Sequence, residues 1–124
     1  MYDEPLDVLK QIHSIAIVGI SSNENRDSFK VMNFLMKKGY KIFPVNPKEE
    51  DNLILGKKCY KSLLDINEEV DMVNIFRKKE SVFGITKEAI KIDAKVLWTQ
   101  LDIVCEESFN LAKKAGLKVV MNSC

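Results

Sequence analysis

The chain holds a single histidine, His13, and this shortage excludes a good deal of chemistry. A Ser–His or Cys–His nucleophile needs an imidazole base beside it, yet His13 precedes the first strand-like run and reads as structural or solvent-facing. The three cysteines, Cys59, Cys105 and Cys124, are odd in number and lack paired metal spacing. No Cys/His metal site is therefore expected, and reduced thiols are the default. No Asp or Glu pair stands at catalytic spacing, and Glu106 with Glu107 read as first-turn acids favouring a helix dipole. No apolar run reaches the length of a membrane span, and MYDEPLDVLKQIH lacks the basic-then-apolar order of a signal peptide. A cytoplasmic protein away from membranes is expected. Charge of one sign is also scarce: 19 Lys and Arg against 18 Asp and Glu leave a net charge of +1. No global field then draws nucleic acid, so phosphate recognition must come from local cation clusters. No stretch specifies an oligomeric state.

With 46% hydrophobic and 30% charged residues over 124 positions, the composition is that of one ordered domain, 1–124. That is enough for a core and too little for a second catalytic domain. Asp3 is placed to cap a first helix with Pro5 in its first turn and Leu6, Leu9 and Ile12 on its apolar face. SIAIVGI reads as a strand buried on both faces. From Ser28 to Lys38, Val31, Phe34 and Leu35 recur at helical spacing and Gly39 stands at the left-handed cap; Phe34, Phe43 and Trp98 are assigned to the core. YKIFPVNP is the second strand, followed by the polar loop KEEDN, a turn at Gly56 and a short helix from Ser62. VDMVNIF is the third strand, with a helix marked by Val82, Ile85 and Ala89 behind it. KVLWTQ is the fourth strand. Phe109, Leu111, Ala112 and Ala115 mark a helix stopped at Gly116, and LKVVMN closes the sheet. This alternation implies an α/β fold, a doubly wound, Rossmann-like parallel sheet of five strands in the order 3-2-1-4-5.

In such sheets ligands bind beyond the carboxyl ends of the strands, where strand order reverses. The stretches so placed are Gly19 to Ser22, Asn46 to Lys48, Phe76 to Lys78, and Trp98 to Gln100. Gly19 permits a tight turn, and Ser21, Ser22 and the amides leading to Ser28 suit a phosphate at a helix N-terminus; one glycine equally suits a plain strand-to-helix turn. A NAD site needs an acid at the end of the second strand. Here the strand ends PVNPK, and Lys48 offers a cation to a ribose phosphate, as in NADP or coenzyme A. Lys48 and the RKKE run also fit an ordinary wet surface, although Arg77 directly follows a strand tip.

Taken together, IAIVGISSNENRDSFKVMNFL, GYKIFPVNP, ILGKKCYKSL, VDMVNIFRKKE, AKVLWTQL and AGLKVVMNSC resemble, in order and spacing, the small stand-alone CoA-binding proteins. These are similar in fold to the CoA-binding domain of the succinyl-CoA synthetase alpha subunit. The resemblance implies that Gly19, Ile20 and Ser21 line a diphosphate, with Ser28 and Lys30 adding polar contacts. It further implies Asn46, Pro47 and Lys48 near the ribose and its phosphate, Ile75, Phe76 and Arg77 beside the adenine, and Trp98 with Gln100 along the bound chain. Asp27 and Lys79 stand where the family commonly has proline, Asp93 and Asp102 where it has glycine, and MNSC replaces Met-Asp-Arg-Cys. The function implied is binding of CoA or an acyl-CoA by a carrier or sensor, with no catalytic or metal-binding residues assigned. An NADP-dependent oxidoreductase and an interaction module with a vestigial pocket are the alternatives. Cys124, after the last strand, is a candidate redox residue towards the CoA thiol.

Overall fold

The computed structural model describes residues 3–100, 103 and 105–122. Its first helix, α1, spans Pro5–Leu9, but Asp3 does not cap it. The Asp3 carboxylate accepts the Val119 N–H at 3.0 Å and its own N–H donates to the Val119 carbonyl at 2.8 Å, so the residue anchors the chain start to the far end of the sequence. The buried face is Val8 and Ile12, whereas Leu6 stays 73% exposed.

Strand β1 is Ser14–Val18, buried throughout, and helix α2 is Asp27–Lys37. Met32 and Leu35 turn inward from α2, while Phe34 is 58% exposed beneath the Lys38 ammonium. Its assignment to the core is thus corrected: one residue of helix separates it from Leu35, a rotation of roughly 100°. Strand β2 is Lys41–Val45. A 3-10 turn at Pro47–Glu49 and a hairpin of β3, Leu53–Ile54, with β4, Lys57–Lys58, occupy the expected loop. Leu55 and Gly56, both at positive φ, form the hairpin's two-residue turn, as the right-handed twist of paired strands demands. A second 3-10 turn, Leu63–Asp65, is capped by the Ser62 hydroxyl. Then follow β5, Met72–Ile75, α3, Lys79–Lys91, β6, Val96–Gln100, α4, Glu106–Lys114, and β7, Lys118–Asn122.

The five long strands form a parallel sheet in the order β2-β1-β5-β6-β7. In chain order of those strands this is 2-1-3-4-5, which corrects the expected 3-2-1-4-5: the third long strand pairs with β1 rather than outside β2. Pro44 explains the difference. Lys41 and Gly19 donate across the β1–β2 ladder, while Asn46 N–H donates to Tyr60 and Tyr60 N–H to Pro44 on the other side. By strand alternation the N–H that Pro44 lacks falls on the outer edge of β2, where a proline is tolerated. The Tyr60 segment covers that edge through a bridge to Val45.

Two apolar layers enclose the sheet. Val82 and Ala89 of α3 and Phe109 and Ala112 of α4 pack with Ala16, Val18, Phe43, Val73, Ile75, Leu97 and Val119 on one face. On the other, Val8 and Ile12 near α1 and Met32 and Leu35 of α2 pack with Ile15, Ile17, Met72, Val96 and Val120. The amino edge is tied by Asp71, whose carboxylate accepts the N–H groups of His13 at 2.7 Å and Ser14 at 3.3 Å and pairs with Lys95 at 3.3 Å.

Candidate functional site

Strand order reverses between β1 and β5, so the crevice lies at their carboxyl tips. Gly19 follows β1 at φ +91°, and the space a Cβ would take there is filled: the Phe76 carbonyl oxygen would lie 2.5 Å from it and Arg77 Cδ 2.9 Å. The glycine is therefore required twice, by its backbone angle and by the close approach of the β5 tip. Because β5 neighbours β1, the Arg77 stem lies against Gly19, and a cation stands at the mouth of the crevice. Among the described residues Arg77, Lys48 and Lys30 are in no ion pair.

The loop between Gly19 and α2 is held largely by its own polar side chains. Ser21 N–H donates to the buried Ser28 Oγ at 3.1 Å, Asn23 N–H to Ser21 Oγ at 3.0 Å, and Asn25 N–H to Asn23 Oδ1 at 2.9 Å. Arg26, in the cap position of α2, offers no side-chain cap, so the first-turn amides keep the positive end of the helix dipole unsatisfied by a cap. Asn46 Nδ2 donates to the Ile20 carbonyl at 2.8 Å while its Oδ1 accepts the Lys48 N–H at 3.0 Å. One amide thus fixes the loop after β1 to the turn after β2.

Glu49 joins the same two loops. Its carboxylate accepts the Ser22 N–H at 3.0 Å, the Ser22 hydroxyl at 2.8 Å and the Asn52 amide at 3.0 Å. The Asn52 bond first, and then those from Ser22, hold its carboxyl below the ordinary carboxylate range. Glu49 went unrecognised in the sequence because PKEED has the composition of a wet loop; its contact is set by tertiary structure alone.

Most of the sequence-assigned residues gather at this edge. Gly19, Ser21, Asn46, Phe76 and Arg77 are half-buried, and Lys30, Pro47 and Lys48 are exposed. Ile20 and Ile75 are buried in the two apolar layers, which leaves only their backbone at the rim. Trp98 to Gln100, expected beyond the fourth strand, lie instead within β6, where Trp98 is half-buried in mid-strand opposite Asn74 and Gln100 is half-buried at the strand's last position. Asp102 and Cys124 lie outside the described residues. Cys59 is buried, and burial pushes its thiol up to about 11. His13 sits before β1, at the edge opposite the crevice. An open depression of about 500 Å³ lined by Asp3, Glu4, Asp7, Val8, Lys10, Gln11 and Lys118 also lies at that amino edge, whereas the switch point of the sheet places the candidate site at the opposite edge.

Comparison with known proteins agrees with this placement of the chain among α/β folds. A family described as a CoA binding domain matches residues 13–124. The uncharacterized protein YneT of Bacillus subtilis is 36% identical over 118 residues, 95% of this chain and 86% of that protein. An ADP-forming acetate–CoA ligase of Methanocaldococcus jannaschii is 37% identical over 73 residues, which cover 59% of this chain but only 10% of the ligase. Among solved structures, a hypothetical protein of Pyrococcus horikoshii superposes with a TM-score of 0.90 at 39% identity, covering 96% of this chain and 82% of that one.

Proposed function

This chain belongs to the CoA-binding domain family, and from that premise we propose that it binds coenzyme A or an acyl-CoA at the carboxyl edge of its sheet, as a cytoplasmic carrier or sensor without catalysis of its own. The observation that carries the reading is the contact between Gly19 and the Arg77 stem at the switch point. It sets a cation that is in no ion pair among the described residues beside the turn that leads from β1 to the uncapped amides of α2, a combination suited to a diphosphate. In this reading Gly19, the Ile20 backbone, Ser21, Ser28 and Lys30 serve the diphosphate. Asn46, Pro47 and Lys48 face the ribose and its phosphate, Phe76, Arg77 and the Ile75 backbone border the adenine, and Trp98 and Gln100 follow the chain towards its thiol. Asp27 and Glu49 bring negative charge near the loop, which raises the demand on Arg77, Lys48 and Lys30.

Family membership does not bring the ligase reaction with it, because the chain spans only 10% of the acetate–CoA ligase it matches. Within the described chain the single imidazole stands at the wrong edge of the sheet, and the Cys59 thiol is buried and held protonated. Neither supplies a nucleophile or base at the crevice.

Thermal unfolding with CoA, acetyl-CoA, NADP and NAD at equal concentration tests the proposal. A ligand that binds only the folded chain stabilises it by about 2.7 kcal/mol at a hundred times its Kd. CoA or acetyl-CoA should raise the midpoint in a concentration-dependent way while NAD does not. A larger shift with NADP, or none with any of the four, would refute the assignment.

A further inference from the structure

Asn74 is an amide on a strand whose other residues are apolar, and it is 4% exposed. Its Oδ1 is buried and accepts no hydrogen bond among the described residues. A buried polar atom without a partner is costly, and a sheet retains one where something else supplies the partner. Strand alternation puts Asn74 on the face of Met72, between Ile17 of β1 and Trp98 of β6.

On the opposite face Ile75, Leu97 and Thr99 are all buried under α3 and α4, so Thr99 Oγ1, which also lacks a partner among the described residues, is closed off. On the face of Asn74, α2 lies against β2 and α1 against β7, and along β5 and β6 between them Phe76 and Trp98 are half-buried against the apolar layer. The result is a strip with two aromatic surfaces and one unmet hydrogen-bond acceptor at its base, leading away from the Gly19 crevice.

We propose that this strip is a subsite for the amide-bearing arm of the ligand, with Asn74 Oδ1 accepting an N–H from it. The pantetheine arm of CoA has the required chemistry: secondary amides spaced by methylenes that can lie on Phe76 and Trp98. The inference rests on the CoA reading above and adds to it a residue that distinguishes CoA from a bare nucleotide. Asn74 therefore costs the free fold stability that it returns on binding.

Titration calorimetry of the full chain with CoA and with 3′-phospho-ADP, which is CoA without its pantetheine arm, tests the subsite. Asn74→Leu removes the acceptor and the buried polar atom together, so it should raise the thermal midpoint of the free protein. It should also weaken CoA about tenfold, equivalent to ~1.4 kcal/mol, and leave 3′-phospho-ADP within about twofold. Asn74→Ala, which adds no bulk to the strip, should reduce CoA relative to 3′-phospho-ADP in the same direction. Loss of both ligands in equal measure, or of neither, would overturn the subsite and leave the nucleotide site standing. A wild-type chain that binds 3′-phospho-ADP as tightly as CoA would do the same. A wild-type chain that binds neither overturns the CoA reading itself, and the subsite with it.

Discussion

Replacing Gly19 by alanine should destabilise the fold well beyond the effect of the same change at Gly39, and the pair isolates one contact. Both glycines sit at positive φ, +91° and +96°, but a Cβ at Gly39 meets nothing within 4 Å whereas at Gly19 it would lie 2.5 Å from the Phe76 carbonyl oxygen. Gly39→Ala then carries only the backbone penalty of about 1–2 kcal/mol, reduced by the entropy that alanine removes from the unfolded chain, about 0.4–1 kcal/mol. Gly19→Ala carries that same balance and must also part the tips of β1 and β5, because the obstructing atom is backbone. The Phe76 N–H donates to the Val18 carbonyl at 2.8 Å at that point, and stranding a buried pair of this kind costs about 1–3 kcal/mol. The expected totals are about 1 kcal/mol for Gly39→Ala and about 2–4 kcal/mol for Gly19→Ala. Urea unfolding, where a chain of this size loses about 1–3 kcal/mol per molar denaturant, reads the difference as separated midpoints at unchanged slope. Equal midpoints would refute the close approach. A bulky substitution at Gly19 is by the same reasoning a poor probe of ligand binding, since it strains the sheet before it meets a ligand.

Burial acts to raise the Asp71 pKa, but the N–H groups of His13 and Ser14 and the Lys95 ammonium outweigh it and hold the carboxyl below its ordinary value. Its stabilisation is thus present above the unfolded carboxyl value of about 3.9 and is lost as pH falls through the lower folded value; Asp71→Asn should cost about 1–3 kcal/mol at neutral pH and flatten the acid limb of a stability-against-pH curve. Asp93 closes α3 at φ +62° in the conformation that Gly39 and Gly116 adopt after α2 and α4, so Asp93→Gly should gain about 0.5 kcal/mol in chemical denaturation, and a loss would refute the strain. Cys59, buried with its thiol pushed up to about 11, should resist a thiol reagent at neutral pH until the chain unfolds, as peptide mapping after brief labelling would show; rapid modification in the native state contradicts its placement. Dephospho-CoA should bind about 1–3 kcal/mol more weakly than CoA if Lys48 or Arg77 meets the ribose phosphate, with the gap narrowing at high salt; equal affinities would remove that role from both.

Local pattern determined what could be read directly from the chain. The five long strands, the helices between them and the caps at Gly39 and Gly116 follow from apolar periodicity and glycine placement, and so does the gathering of Gly19, Asn46 and Arg77 at one edge, whereas Trp98 lies within β6. Strand order was harder, because alternation of strands and helices permits more than one winding. The deciding residue was nevertheless visible: Pro44 in the middle of YKIFPVNP requires an edge strand. Phe34 misled because its spacing from Val31 fits a helical stripe, whereas the buried stripe of α2 runs through Ser28, Met32 and Leu35. Glu49 was beyond reach, since its partner Ser22 is 27 residues away and no local rule relates the two loops. Asn74 did carry a signal, a lone amide in a strand otherwise suited to burial on both faces.

The two edges of the sheet divide the work between them. At the amino edge Asp71 joins the starts of β1, β5 and β6 through His13, Ser14 and Lys95, and Asp3 ties the chain start to β7; these polar groups have their partners within the fold. At the carboxyl edge, among the described residues, Arg77 and Lys48 are in no ion pair, Arg26 gives α2 no side-chain cap, and Asn74 Oδ1 is buried without a partner. Unmet polar groups concentrated at one edge are what a sheet keeps when a ligand completes them. It follows that substitutions at the amino edge should lower stability without changing ligand preference, whereas Asn74→Leu should raise stability and weaken CoA. Opposite signs of that kind cannot arise from a general loosening of the fold, so the sign of the stability change at each edge separates a binding role from a structural one.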